Sequence, residues 1–146
     1  MDLKDLYQEI ILDHGKNPRN FGKCKNFNKD SKGYNPLCGD KVHIYVNLDS
    51  NQKIVDLSFE GEGCAISLAS ASILTEILKG KEFSVAKIII DNFFDLVKKN
   101  ENITVNSLNE DQKTTMMSLS GVKDFPMRVK CATMAWHTVF SALEKK

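Results

Sequence analysis

Two alternating runs of residues around a short polar turn constrain this fold more than anything else in the sequence. Over 41–48, Val42, Ile44, Val46 and Leu48 alternate with Lys41, His43, Tyr45 and Asn47, the period-two pattern of a strand with one buried face. Asp49-Ser50-Asn51-Gln52 has turn chemistry, after which Val55, Leu57 and Phe59 alternate with Asp56, Ser58 and Glu60. Folding the two runs back about that turn sets Leu48 opposite Lys53, Asp40 opposite Gly61 and Cys38 opposite Gly63, with Cys64 next in the chain. A local hairpin thus brings Cys38, Asp40 and Cys64 together before any long-range packing.

The stretch leading into the hairpin, Asn35-Pro36-Leu37-Cys38-Gly39-Asp40, offers a thiol and a carboxylate at i and i+2, which face the same way in extended chain. Gly39 between them lets the backbone fold closely around a bound ion. Gly63 does the same service beside Cys64.

The rest of the chain reads as helices that cover a sheet. Leu3, Leu6, Tyr7, Ile10 and Ile11 form an amphipathic stripe ending near His14-Gly15, able to dock on its own fold or to serve a partner. Asn17-Pro18 breaks that helix, and the polar segment 23–34 offers at best a short edge strand. A helix opens at about Cys64, with Ile66, Ala69, Ile73, Leu74 and Ile77 facing inward and Gly80 as its C-cap. Ser84 is expected to cap the next helix, with Val85, Ile88, Ile89, Leu96 and Val97 apolar and an end near Lys98-Lys99-Asn100. Residues 101–124 read as a polar surface excursion with a weak helical patch at Met116, Met117 and Leu119. Phe125-Pro126 introduces the last helix, whose stripe is Ala132, Ala135, Trp136, Val139, Phe140 and Leu143, with Cys131 in its first turn. The expected fold class is α+β, a small antiparallel sheet of two or three strands with helices packed on one face.

At 146 residues the chain is expected to form one domain, 1–146, large enough to bury a core without staples. A net charge of +1 gives no reason to expect nucleic acid or an anionic membrane as partner. No signal-like start and no apolar run of membrane-spanning length is present, so a cytoplasmic location is expected. The four cysteines are therefore read as reduced thiols, and without a Cys-x-x-Cys pair neither a thioredoxin-like redox site nor a zinc ribbon fits.

Cys38, Asp40, Cys64 and Cys131 would make a four-ligand set of the kind that suits tetrahedral zinc. Cys131 joins it only if the last helix docks with its N-terminus at the open end of the hairpin. Thiols at helix starts, with Arg128 and Lys130 near Cys131, are expected to favour the thiolate. The hard carboxylate of Asp40 would be the weakest ligand for a thiophilic metal, which suits transfer better than storage. The competing reading is that each cysteine is a buried, reduced, small hydrophobe. Cys24 is left over as a boundary cysteine. His14 reads as a helix C-cap, His43 as a residue of the polar strand face, and His137 as a neighbour of the core anchor Trp136.

Three stretches taken together, Asn35-Pro36-Leu37-Cys38-Gly39-Asp40, Gly61-Glu62-Gly63-Cys64-Ala65-Ile66-Ser67 and Arg128-Val129-Lys130-Cys131-Ala132, resemble the U-type iron-sulfur cluster assembly family (IscU/NifU N-terminal-like), most closely its SufU branch. The resemblance implies a SufE/NifU-like α+β fold, a metal site at Cys38, Asp40, Cys64 and Cys131, and a pyridoxal-phosphate-dependent, SufS-like cysteine desulfurase as partner, with further iron-sulfur assembly proteins downstream. Scaffolds of the IscU branch typically carry histidine immediately before the third motif cysteine; here that residue is Lys130. The excursion before the last helix is likewise similar to the SufU branch. The resemblance thus favours a zinc-dependent sulfur acceptor that stimulates a desulfurase, with Cys38 as the acceptor thiol. A scaffold for a transient iron-sulfur cluster on the same ligands is the second reading, and a structural zinc interaction module the third.

Overall fold

Alternation of buried and exposed side chains builds the sheet, and the turn that joins its second and third strands decides what meets what at its far end. The computed structural model describes residues 2–99 and 102–145. Strands β1 (Lys29–Asn35), β2 (Asp40–Leu48) and β3 (Ile54–Glu62) pair antiparallel in the order β1-β2-β3. The inner-face residues Val42, Ile44, Val46, Leu57 and Phe59 are all buried. The segment expected to contribute only a short edge strand supplies the full seven-residue β1.

The hairpin register differs from the one counted from the turn. Leu48 pairs with Ile54 rather than Lys53, and Asn47 pairs with Asp56, so Val55 is an extra residue at a bulge. Each change shifts the pairing by one, and together they place Lys41 opposite Glu62 and Val42 opposite Gly61. A one-residue slip would have turned every side chain over; two restore the faces. Val55, expected to point inward, is instead exposed, and Ile54 takes the buried place.

Among the described residues five helices complete the fold: α1 (Leu3–Lys16), α2 (Ala65–Leu78), α3 (Phe83–Lys99), α4 (Glu110–Met117) and α5 (Pro126–Glu144), with a 3-10 turn at Ser120–Asp124 before the last. Helix α5 lies across β1 and β2, and α2 packs against β3, α5 and α1. The small residues Ala69, Ser70, Ala71 and Ser72 of α2 are all buried, as a helix wedged between neighbours requires. Trp136 is the largest fully buried side chain and stacks on Phe93, ring centroids 3.9 Å apart. The architecture is α+β. No described helix is long and apolar enough to cross a membrane.

Three expectations about the helices need correction. Ser84 lies inside α3, which begins at Phe83, and Ile88 is exposed on its outer face. The excursion is not merely superficial: Val105, Leu108, Met116, Leu119 and Val122 are buried in the main core, and α4 carries a capping box from Asn109 and Gln112. Pro126 starts α5 earlier relative to Cys131 than expected, so Cys131 is the sixth helical residue and sits past the first turn. The expected end of α3 at Asn100 and start of the excursion at Glu101 lie outside the described residues.

The α1 stripe docks on the molecule itself. His14 is buried and its Nδ1 pairs with the Ser72 hydroxyl of α2 at 2.7 Å, while Leu6, Tyr7, Ile10 and Ile11 are half-buried and Leu3 stays exposed.

Candidate metal centre

The open end of the β2–β3 hairpin meets the first turns of α5, because α5 runs along the sheet with its N-terminal end toward the β1–β2 loop. Cys38 comes from that loop, Asp40 from the first residue of β2, and Cys131 from α5. Their ligand atoms lie within 4.8 Å of one another, and the Cys38 and Cys131 sulfurs are 3.3 Å apart. Cys64, the N-cap of α2, places its thiol 3.9 Å from Asp40 Oδ2. Of the four residues that the sequence singled out, Cys38, Asp40 and Cys131 therefore form one group, and Cys64 stands beside it next to Asp40 rather than within it.

The register explains why Asp40 belongs there. With Lys41 opposite Glu62, Asp40 enters the ladder beside Gly63 and Cys64, and its Oδ1 accepts the Cys64 backbone N–H at 2.8 Å. Gly63 has φ +149°, and a Cβ there would lie 2.9 Å from Asp40 Cγ, so only glycine leaves the carboxylate its place. Gly39 has φ +68° with open space around it; its need is conformational rather than steric.

The donors differ in exposure and support. Asp40 and Cys131 are fully buried, Cys64 is half-buried and Cys38 is exposed. Cys64 Sγ accepts the Ser67 N–H at 3.4 Å, the bond expected of a thiol at a helix N-terminus. Asn35, buried beside them, donates through Nδ2 toward Asp40 Oδ2 at 3.4 Å and Cys131 Sγ at 3.7 Å. Asn35 escaped the sequence reading, which named it only as the first residue of the stretch leading into the hairpin. Its pairing opposite Asp40 on β1 was the long-range fact that reading lacked.

The surroundings of Cys131 in the metal-free protein act against the thiolate expected beside Arg128 and Lys130. Burial pushes the Cys131 thiol up, with the nearby Cys38, Asp40 and Cys64 side chains acting in the same direction. Both basic side chains are exposed. Arg128 lines a groove with Phe125, Ile66 and Tyr7, while Lys130 lines another with Tyr34, Leu37 and Pro126.

Thiolate and carboxylate donors are an acceptable set for zinc, and sulfurs about 2.3 Å from a tetrahedral ion lie roughly 3.8 Å apart. The observed sulfur–sulfur separation of 3.3 Å between Cys38 and Cys131 falls near that value, and the ligand atoms of Cys38, Asp40 and Cys131 lie within 4.8 Å of one another, so these residues fit such an ion. Cys24 and the histidines stand elsewhere. The Cys24 N–H is bonded to Ser58, His43 pairs with Asp30 on the outer sheet face, and His137 stacks on Phe94.

Comparison with known proteins decides the family. Residues 6–132 match the family described as NifU-like N terminal domain. The chain belongs to that family. It is 39% identical over 144 residues to the zinc-dependent sulfurtransferase SufU of Bacillus subtilis, covering 99% of this chain and 90% of that protein. It is 35% identical to the iron-sulfur cluster assembly scaffold protein IscU of Streptococcus pyogenes, covering 98% of this chain and 86% of the other. Among solved structures, the putative iron-sulfur cluster assembly scaffold protein for the SUF system from Fervidobacterium islandicum superposes with a TM-score of 0.80 at 35% identity, over 93% of this chain and 95% of that one. A NifU-like protein of Brucella abortus shares the fold with a TM-score of 0.82 at 19% identity, over 97% of this chain and 94% of that one.

Proposed function

We propose that this NifU-like N-terminal domain acts in iron-sulfur cluster assembly as a zinc-dependent sulfur acceptor, receiving persulfide sulfur from a pyridoxal-phosphate-dependent cysteine desulfurase. One observation carries the reading: Cys38 is exposed in a loop while its sulfur lies 3.3 Å from buried Cys131, so one thiol of the cluster is accessible and the others are held. Cys38, Asp40, Cys64 and Cys131 would hold the ion. When bound, zinc keeps its thiol ligands deprotonated at neutral pH.

The chain's own residues then account for the transfer. Cys38 swings outward on its Gly39-flanked loop and its thiolate attacks the outer sulfur of the donor's persulfide. A new sulfur–sulfur bond forms at Cys38, the bond in the donor breaks, and the donor cysteine leaves as a thiolate, with no net oxidation or reduction. Asp40, Cys64 and Cys131 stay anchored in helix and strand. The exposed Tyr34 and Leu37 in the groove with Lys130, and the exposed Phe125 in the groove with Arg128, offer a SufS-like desulfurase apolar contacts edged by cations. Downstream iron-sulfur assembly proteins would take the sulfur from the same exposed thiol.

The second reading, a scaffold on which a cluster forms as cargo, draws on the relatives named as scaffolds. Lys130 in place of a histidine donor beside Cys131 supports the carrier over the scaffold. Metal analysis of protein purified without added metal, paired with a desulfurase stimulation assay, tests the proposal. Stoichiometric zinc with stimulation supports it. Anaerobic reconstitution of a cluster that passes intact to an apo-protein supports the scaffold instead, and an inert metal with no stimulation points to a structural module.

A further inference from the structure

We infer that Asn35 is a positioning residue of the metal centre, its side-chain amide spanning Asp40 and Cys131 so that Cys38 is left as the ligand free to depart. The inference rests on the zinc reading above and adds a residue and a role to it.

Asn35 is buried, and its amide has a fixed orientation. Oδ1 accepts the Leu37 N–H at 3.3 Å, the local bond of an asparagine two residues before its partner. That leaves Nδ2, with two hydrogens, aimed at Asp40 Oδ2 and Cys131 Sγ at 3.4 and 3.7 Å. Both contacts are long, as expected of a donor shared between acceptors from two different elements.

The cysteine it reaches has little else. Among the described residues, the Cys131 sulfur has no N–H donor other than Asn35; its remaining hydrogen-bond partner is the Cys38 sulfur. Burying a thiolate without donors is costly, so the form that binds metal depends on this amide. Its neighbours are each anchored by a different N–H: Asp40 Oδ1 by Cys64, and Cys64 Sγ by Ser67. Cys38 Sγ receives no N–H among the described residues. Three donors are thus oriented by the protein and one is not, and the unoriented one is the exposed thiol.

Hydrogen bonds from outside the ligand set orient ligands, and losing one typically weakens metal binding by about 10–100-fold. The variant that isolates the role is Asn35→Ser. A serine hydroxyl can still accept the Leu37 N–H, as in other short turns, but it is too short to bridge Asp40 and Cys131 and adds no charge. Wild type and Asn35→Ser, freed of metal, are titrated with zinc and with cobalt(II) against a chromophoric chelator. The expected result is affinity lower by about 10–100-fold in the variant, faster loss of metal to chelator and a shifted cobalt-thiolate spectrum, with the melting temperature of the metal-free protein unchanged. Affinity and release within twofold of wild type would overturn the inference and leave Asn35 a turn residue only.

A second measurement needs no substitution. In wild type loaded with cadmium-113, the Asn35 side-chain amide protons should shift and couple to the metal through the Cys131 sulfur, and an amide signal unmoved by loading would overturn the assignment. The failures are separable. Wild type that takes up no metal removes the zinc reading itself, whereas wild type that binds metal as tightly as Asn35→Ser removes only the role of Asn35.

Discussion

Asp40 and Gly63 approach each other so closely across the mouth of the β2–β3 hairpin that a Cβ on Gly63 would sit 2.9 Å from the Asp40 carboxylate carbon and nearer still to one of its oxygens. Gly63 also holds φ +149°, a conformation that a side chain strains by about 1–3 kcal/mol. Gly63→Ala should therefore destabilise the protein by about that amount and also displace Asp40. The check is a pair of measurements, chemical denaturation and metal retention against a chelator. Both should fall, and a variant with normal metal retention would mean that Asp40 is not held in place by this contact.

Asp40→Ala separates the same carboxylate from the fold in the opposite sense. The carboxylate is fully buried and accepts the Cys64 N–H, so its loss leaves that donor without a partner at a cost of about 1–3 kcal/mol. Metal exchange should change more than folding does. The metal-loaded variant should keep the wild-type circular dichroism spectrum while exchanging its ion faster, and loss of the folded spectrum in the loaded protein would contradict the assignment.

Sulfur transfer should depend on Cys38 and not on Cys24. Cys38→Ser is expected to abolish persulfide on this protein after incubation with a desulfurase and cysteine, read by intact mass as the absence of an added sulfur atom. Cys24→Ser should accept sulfur as wild type does, because Cys24 takes part in neither the thiol cluster nor its hydrogen bonds. Sulfur acceptance at the wild-type rate by Cys38→Ser would reassign the acceptor.

The parts of this molecule that were legible in its sequence are those in which local periodicity carries the information. Val42, Ile44, Val46 and the stripe from Ala132 to Leu143 declare β2 and α5 because burial repeats at two or near 3.6 residues, and nearly every one of these side chains is buried. The register was not legible. It turns on a bulge at Val55, which no residue type announces, and the compensation of two one-residue shifts is a property of the folded ladder. The segment 102–124 looked superficial because its five buried apolar residues, Val105, Leu108, Met116, Leu119 and Val122, follow no single period. At the candidate site the four candidate donors could be named from their motifs, but the hydrogen bonds of Asn35 could not, since both groups it reaches lie on other elements. The setting of the Cys131 thiol was illegible for a related reason. Sequence shows the neighbouring lysine and arginine, but not that both point to water while the sulfur is buried.

Acidification should loosen the seat of α1. Burial first, and the Arg19 charge second, hold His14 below its ordinary value of 6.5, against smaller opposing effects of Glu76 and Asp13. Ser72 Oγ accepts the Arg19 N–H at 2.8 Å, so its own hydrogen is free for His14 Nδ1, an arrangement that requires neutral imidazole. The folded state therefore binds this proton less readily than the unfolded chain does. The contribution is complete above pH 6.5 and is lost as the pH falls below that value toward the lowered folded one. Urea midpoints at pH 7.5 and 5.5 check this: wild type should lose stability on acidification, and His14→Gln should lose less. Because burial also lowers His137, part of the slope should remain in that variant. An unchanged slope would show that His14 does not titrate with folding.

Ser70 is small, but it joins the two helices that frame the site. Its hydroxyl accepts the Trp136 indole N–H at 2.8 Å and donates to the Ala132 carbonyl at 2.5 Å, and Ala132 follows Cys131 directly. All of these groups are buried. Ser70→Ala removes one oxygen and leaves the indole N–H without a partner in the core, a loss of about 1–3 kcal/mol. Trp136→Phe should cost less than truncating Trp136 to alanine, which is expected to cost about 3–5 kcal/mol, because phenylalanine keeps the stack on Phe93 and makes no demand on Ser70. In the Ser70→Ala background, Trp136→Phe should then be nearly free of the hydrogen-bond penalty, since the donor and its acceptor are both gone. A double-mutant cycle by chemical denaturation measures that coupling directly. Additive effects of the two substitutions would mean that the bond between Ser70 of α2 and Trp136 of α5 contributes nothing to the packing of these two helices.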